Sequence, residues 1–186
     1  MRKVVLIFGL LAGAIASAVM LLFIFMLEKG MTTFDDSELI GYGVLVIALS
    51  MIFFGIKSYR DNHQNGAINF VKGLQVGALI TLVAGLMYAA TWETYYQTNT
   101  EVRTSFMDKY TDHYLNKMRA QGASALEIDR KAEEMARMAE MYKNPLIRFG
   151  FTLLEILPVG IIITLISAAA LRRKEVFTAK ESKYAC

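Results

Sequence analysis

Residues 146–171 read LIRFGFTLLEILPVGIIITLISAAAL, and the basic triplet Arg172-Arg173-Lys174 follows directly. A bilayer core about 30 Å thick needs roughly 20 apolar residues of helix, so this stretch is long enough to cross one. It carries only two charges, Arg148 near its start and Glu155 inside it, with Pro158 three residues further on. A carboxylate at membrane depth is costly and is a functional-site hypothesis by default.

Three more apolar runs accompany it, at 4–27, 39–56 and 70–92. The chain has 186 residues, 55% of them hydrophobic, and the concentration of that excess into four runs sets the class. We expect an all-α membrane protein with four transmembrane helices, forming one domain over 1–175. Residues 93–145 form an extracytoplasmic insertion between spans three and four, and 176–186 a cytoplasmic tail. The N-terminus imitates a signal peptide, with Arg2-Lys3 and Ala16-Ser17-Ala18. The apolar run continues past that point to Leu27, however, so we expect a retained span.

Small residues punctuate two of the spans. Gly9 and Gly13 lie on one face of span one, and Gly73, Gly77, Thr81 and Gly85 recur every fourth residue in span three. Such ridges let helix backbones approach closely where lipid removes the hydrophobic drive to associate. Gly9-Leu-Leu-Ala-Gly-Ala-Ile15 also resembles Gly73-Leu-Gln-Val-Gly-Ala-Leu79, which fits either a parallel repeat or coincidence.

The connections fix direction. Residues 28–38 are acidic, with Asp35, Asp36 and Ser37 as candidate helix caps. Lys57, Arg60 and Lys72 flank the second connection, with Lys57 and Arg60 at headgroup level, Lys72 snorkelling and His63 in a solvated loop. Arg2, Lys3 and the tail residues Arg172, Arg173, Lys174, Lys180 and Lys183 are basic as well. The positive-inside rule then places both termini and the 57–72 connection in the cytoplasm, and 93–145 outside.

That insertion is nearly neutral and reads as a helical hairpin. Phe106, Tyr110, Tyr114 and Met118 form one stripe; Ile128, Ala132, Met135, Ala139 and Tyr142 form another. Gly122 breaks the pattern, Ser124-Ala-Leu-Glu127 is a capping box, and Asn144-Pro145 ends the second helix. Met135, Met138 and Met141 raise the idea of a thioether site for Cu(I), but core filling is the simpler use of methionine.

Glu155 should face the other spans and be protonated, paired or hydrogen-bonded. We expect Arg148 to pair with Glu93 at the rim, and Glu155 with Tyr88 or a serine lower down. Pro158 lacks an amide hydrogen for the Leu154 carbonyl and should kink the helix there. Glu155 then serves either as a structural interhelical bond or as part of a proton, ion or solute pathway. Otherwise the sequence points away from catalysis: it has no phosphate loop, no metal-ligand spacing and no nucleophile beside a base. No basic, aromatic-interleaved patch suggests nucleic acid, and no cofactor is implied. The only cysteine, Cys186, ends the chain and is expected to be a tail thiol.

Four blocks carry a family resemblance: Gly55-Ile-Lys-Ser-Tyr-Arg-Asp61, Trp92-Glu-Thr-Tyr-Tyr-Gln97, Tyr142-Lys-Asn-Pro145 and Leu154-Glu-Ile-Leu-Pro-Val-Gly160. The chain resembles, over about residues 1–175, an uncharacterised, mostly Bacteroidota membrane-protein family catalogued as a domain of unknown function. The resemblance implies four inner-membrane spans and supplies no substrate, cofactor or catalytic residue. The leading expectation is a small non-enzymatic interaction or scaffold protein in the lipid bilayer, with a homo-oligomer or a membrane or extracytoplasmic protein as partner. The alternative is a proton-, ion- or small-solute-handling protein built on Glu155.

Overall fold

The protein's structure, a computed structural model, describes residues 1–172, with only the backbone at 35–39. The candidate caps Asp35, Asp36 and Ser37 and the tail residues Arg173, Lys174, Lys180, Lys183 and Cys186 lie outside what is described. Seven helices follow in order: α1 (Arg2–Glu28), α2 (Phe34–Leu49), α3 (Met51–His63), α4 (Phe70–Thr98), α5 (Thr100–Ala120), α6 (Ala125–Tyr142) and α7 (Pro145–Leu171). Four stretches are long and apolar enough to cross a membrane: α1, Ile40–His63, α4 and α7. The fold is all-helical, with no strand among the described residues.

The helices outrun the apolar stretches that announced them. The helix carrying span two begins at Phe34, and the span continues through His63, which had read as loop. His63 stacks on Tyr59, with ring centroids 5.3 Å apart, so the last turn gains a contact that composition does not show. The same span has a tight turn between α2 and α3. The Ser50 hydroxyl donates to the Ile47 carbonyl at 2.6 Å, and the Phe53 amide reaches the Ser50 carbonyl. Bonds three residues back tighten this turn, while the Ser50 amide keeps its bond to the Val46 carbonyl at 2.9 Å, so the chain stays helical through it.

Arg60 is a second correction. It had read as a headgroup anchor, yet it is completely buried, its Nε donating to Asp61 at 2.7 Å. Lys57 meets the other oxygen of Asp61 at 2.8 Å, so one carboxylate serves both cations.

Helix α4 is the central element, packed against α1 on one side and α7 on the other. The glycine ridges explain both contacts. A β-carbon on Gly9 or Gly13 would press into Val83 or Met87 of α4. Gly73, Gly77 and Gly85 face Ala168, Thr164 and Ile156 of α7. The two ridges thus look alike but meet different partners, so the contact pattern does not repeat with the sequence. Gly160, which the pattern of α4 alone did not reveal, completes the α4–α7 seam: it abuts Thr81, while Gly77 abuts Thr164. The two threonine hydroxyls meet across the seam at 3.3 Å, and Thr81 also donates to the Gly77 carbonyl at 3.0 Å.

Helices α5 and α6 form the expected hairpin at the end of the bundle where α4 ends and α7 begins. Its turn closes with Gly122 at φ +81°, the Gly122 amide donating to Arg119 and the Ala123 amide to Met118. That is a Schellman end, which favours glycine because the left-handed conformation crowds a β-carbon. Met135 is buried in the hairpin while Met141 is exposed, so the methionine sulfurs do not share one environment.

The capping box is formed in full. The Ser124 amide donates to Glu127 Oε2 at 2.8 Å, and the Ser124 hydroxyl accepts from the Glu127 amide at 3.4 Å. The Ser124 hydroxyl, then its amide, hold the Glu127 carboxyl below its ordinary value of 4.5. A depressed acid stabilises fully above its unfolded value and loses that contribution as pH falls through the folded one. Amide exchange at 125–128, corrected for intrinsic rate, should therefore rise in acid below pH 4.5, and Glu127→Gln should flatten the dependence.

Candidate functional site

The acid end of the fold is built from three short patterns. On α4, Tyr88, Trp92 and Tyr96 recur every fourth residue and share one face. On α7, Arg148, Thr152 and Glu155 lie at i, i+4 and i+7, again one face. Tyr142, the last residue of α6, sits just before the Asn144-Pro145 start of α7. Asn144 caps α7 by accepting from the Leu146 amide at 2.9 Å. Proline at the first helical position loses nothing there, since that amide has no partner within the helix.

Arg148 is 1% exposed and fully engaged. Its Nε and Nη2 donate to the two oxygens of Glu93 at 2.7 and 2.6 Å, a bidentate pair. Its Nη1 donates to the Tyr142 carbonyl at 2.8 Å, satisfying an acceptor left over at the end of α6. The guanidinium also lies 4.0 Å from the Tyr96 ring centroid. Arg148 thereby ties α4, α6 and α7 together. It is a lock, and its charge is spent.

Tyr142 carries the hairpin onto the bundle. Its hydroxyl accepts from Trp92 Nε1 at 2.7 Å, and its ring stacks between Phe106 of α5 and Phe151 of α7. Burial pushes its phenol above the ordinary range, so the hydroxyl stays neutral. Phe34, at the start of α2, meets Phe106 and Tyr110 edge-on. Glu28, at the end of α1, accepts from Tyr95 at 3.1 Å and from Asn99 at 3.3 Å. Sequence reasoning placed Phe106 and Tyr142 on the hairpin stripes without naming their partners, and did not single out Phe34 or Glu28. The aromatic density at 92–96 is visible in the sequence, but periodicity along one helix cannot reveal a partner on another.

Glu155 lies about 10 Å further down α7 than Arg148, at 1.5 Å per residue. Tyr88 donates to its Oε1 at 3.1 Å, the pairing anticipated from depth. Glu155 is nonetheless exposed, because it lines a cavity of about 440 Å³ between α1, α2, α4 and α7. That volume is within the range of small-molecule sites, roughly 300–1,000 Å³. Trp92, Phe106 and Tyr142 form part of the wall, Gly41 and Leu45 of α2 another part, and His113 and Lys117 of α5 complete it.

The expected site residues therefore separate. Glu155 and Tyr88 line the cavity; Arg148 and Glu93 sit outside its lining, as the lock that positions the wall. Pro158 is exposed and does not line the cavity, and α7 runs through it as one helix from Pro145 to Leu171. The Pro158 ring thus sits on an exposed face of a helix that continues past it.

No curated protein and no solved structure matches this chain. The family comparison does place it: the match covers residues 7–173, nearly all of the membrane-spanning part. The chain belongs to the family described as "Protein of unknown function (DUF4199)".

Proposed function

We propose that this multi-pass membrane protein binds a small, largely apolar solute in the cavity that ends on Glu155 and Tyr88, and that it does so without catalysing a reaction on it. One observation carries the reading: an aromatic cavity of about 440 Å³ reaches a carboxylate within a membrane-spanning helix. Wells of this kind, mostly apolar with a few placed polar groups, are how proteins hold small ligands. A carboxylate kept at membrane depth against its desolvation cost fits a binding role better than a packing role that an apolar residue would fill. The basic residues at the far end of the bundle support a cytoplasmic location for both termini, which puts the hairpin and the cavity on the outer side of the inner membrane.

A scaffold role has one favouring observation, Leu126 at the start of α6, which is 80% exposed. The glycine ridges no longer argue for a second copy, since they are used between helices of one chain.

The chain has a single tryptophan, Trp92, and it lines the cavity. Its emission therefore reports occupancy directly. Titrating the protein in a neutral detergent with a lipophilic nitroxide should give saturable quenching. Gly41→Phe should abolish saturation, because the β position of Gly41 has no atom within 4 Å and the ring can occupy the cavity. Quenching that rises linearly in both proteins, as simple micelle partition would give, overturns the reading in favour of the scaffold.

A further inference from the structure

The charges around the cavity are unequally matched. Arg148 and Glu93 neutralise each other in a bidentate pair outside the lining. His113 and Lys117, on the α5 part of the wall, each have an interaction of their own. Glu155 differs. Its one hydrogen-bond partner among the described residues is the neutral Tyr88 hydroxyl, on Oε1, and Oε2 is left without one. Among the described residues no cation is paired with this acid, although the low-dielectric surroundings make a counter-charge worth more than in water.

The wall supplies what a particular class of ligand needs. Tyr88, Trp92, Phe106, Tyr142 and Phe151 surround the same space, and aromatic faces attract cations, tryptophan most strongly. A metal ion is poorly served, because no group of three His, Cys, Asp or Glu converges among the described residues. An anion would meet Glu155 directly. A neutral solute would do nothing to stabilise the ionised form of Glu155, which a cation would.

We infer that the ligand class is a monovalent organic cation with an apolar, ring-bearing body, its charge met by Glu155 and its body by the aromatic wall. The inference rests on the cavity being a binding site and adds the sign of the charge it selects. Glu155 supplies charge recognition; Tyr88 is a positioning residue that holds one carboxylate oxygen and leaves the other to the ligand.

Three probes of similar aromatic body and different charge test it: tetraphenylphosphonium, triphenylphosphine oxide and tetraphenylborate. Each is titrated against the full-length protein in a maltoside detergent at constant pH, with Trp92 emission and thermal unfolding as readouts. The expected result is saturable binding of the phosphonium about tenfold tighter than the neutral oxide, with no saturable signal from the borate. Glu155→Gln should weaken the phosphonium about tenfold and leave the oxide unchanged; size-exclusion and unfolding profiles establish that the variant is folded. Comparable affinity for the oxide, or a folded Glu155→Gln that binds the phosphonium as tightly as wild type, overturns the inference while the cavity still binds. If none of the three probes saturates, the binding reading fails with it. The wild-type panel decides the charge preference even if the variant does not fold.

Discussion

Glu93→Gln should lower the unfolding free energy by about 3–5 kcal/mol, the range for removing one partner of a buried ion pair. The magnitude comes from what is left behind. Arg148 is 1% exposed and cannot reach water, so its guanidinium would remain buried without an anion. The glutamine keeps a carbonyl acceptor for one of the two bonds and loses the bidentate geometry. Arg148→Met removes the stranded charge as well, so the double variant should recover a large part of the loss. A double-mutant cycle, read by thermal or denaturant unfolding in mild detergent, isolates that coupling. If the two single losses simply add, the lock described here does not exist. The expected consequence for the cavity is distinct from that of Glu155→Gln: loosening the lock displaces Tyr142 and so alters Trp92 emission before any ligand is added.

Gly160→Ala should cost about 1–3 kcal/mol, the usual penalty for adding a methyl to a filled interior. The added carbon would collide with Thr81 Cγ2. Thr81 cannot rotate away freely, because its hydroxyl is committed to the Gly77 carbonyl and to Thr164. Thr81→Ala removes the obstructing methyl, so the double variant Gly160→Ala/Thr81→Ala should be markedly better than Gly160→Ala alone. Gly150→Ala is the control in the same helix: its β position has no atom within 4 Å, and alanine is the better helix former by about 1 kcal/mol. A Gly160→Ala protein as stable as wild type would show that α4 and α7 are not held at the described spacing.

The legible part of this protein is the part governed by one-dimensional pattern. Four apolar runs announce four spans because the bilayer imposes a length and a solvent on each helix separately. The hairpin was legible through Gly122 and the Ser124–Glu127 box, both local chemistry. Even the pairs Arg148–Glu93 and Glu155–Tyr88 could be anticipated, since few polar groups exist at each depth and each must find a partner. Arg60 shows where such reasoning fails. A basic residue at a span's end snorkels by default, and burying it against Asp61 depends on where α3 packs.

What the sequence determined by itself is therefore the number of spans, the hairpin between the third and fourth, the glycine ridges, and a carboxylate at membrane depth in 146–171. Tertiary structure decided which helix each ridge meets, that Ser50 tightens a turn within the second span, and that Pro158 stays out of the cavity lining. It also decided that Glu155 opens onto a cavity while Arg148, on the same face of the same helix, is sealed. The reason is physical: periodicity fixes the face a residue occupies, but whether that face meets a neighbouring helix or a gap depends on how far apart the other helices are held. Here that spacing is set by Gly77, Gly160 and their threonines at one level, and by Tyr142 wedged between Phe106 and Phe151 at the other.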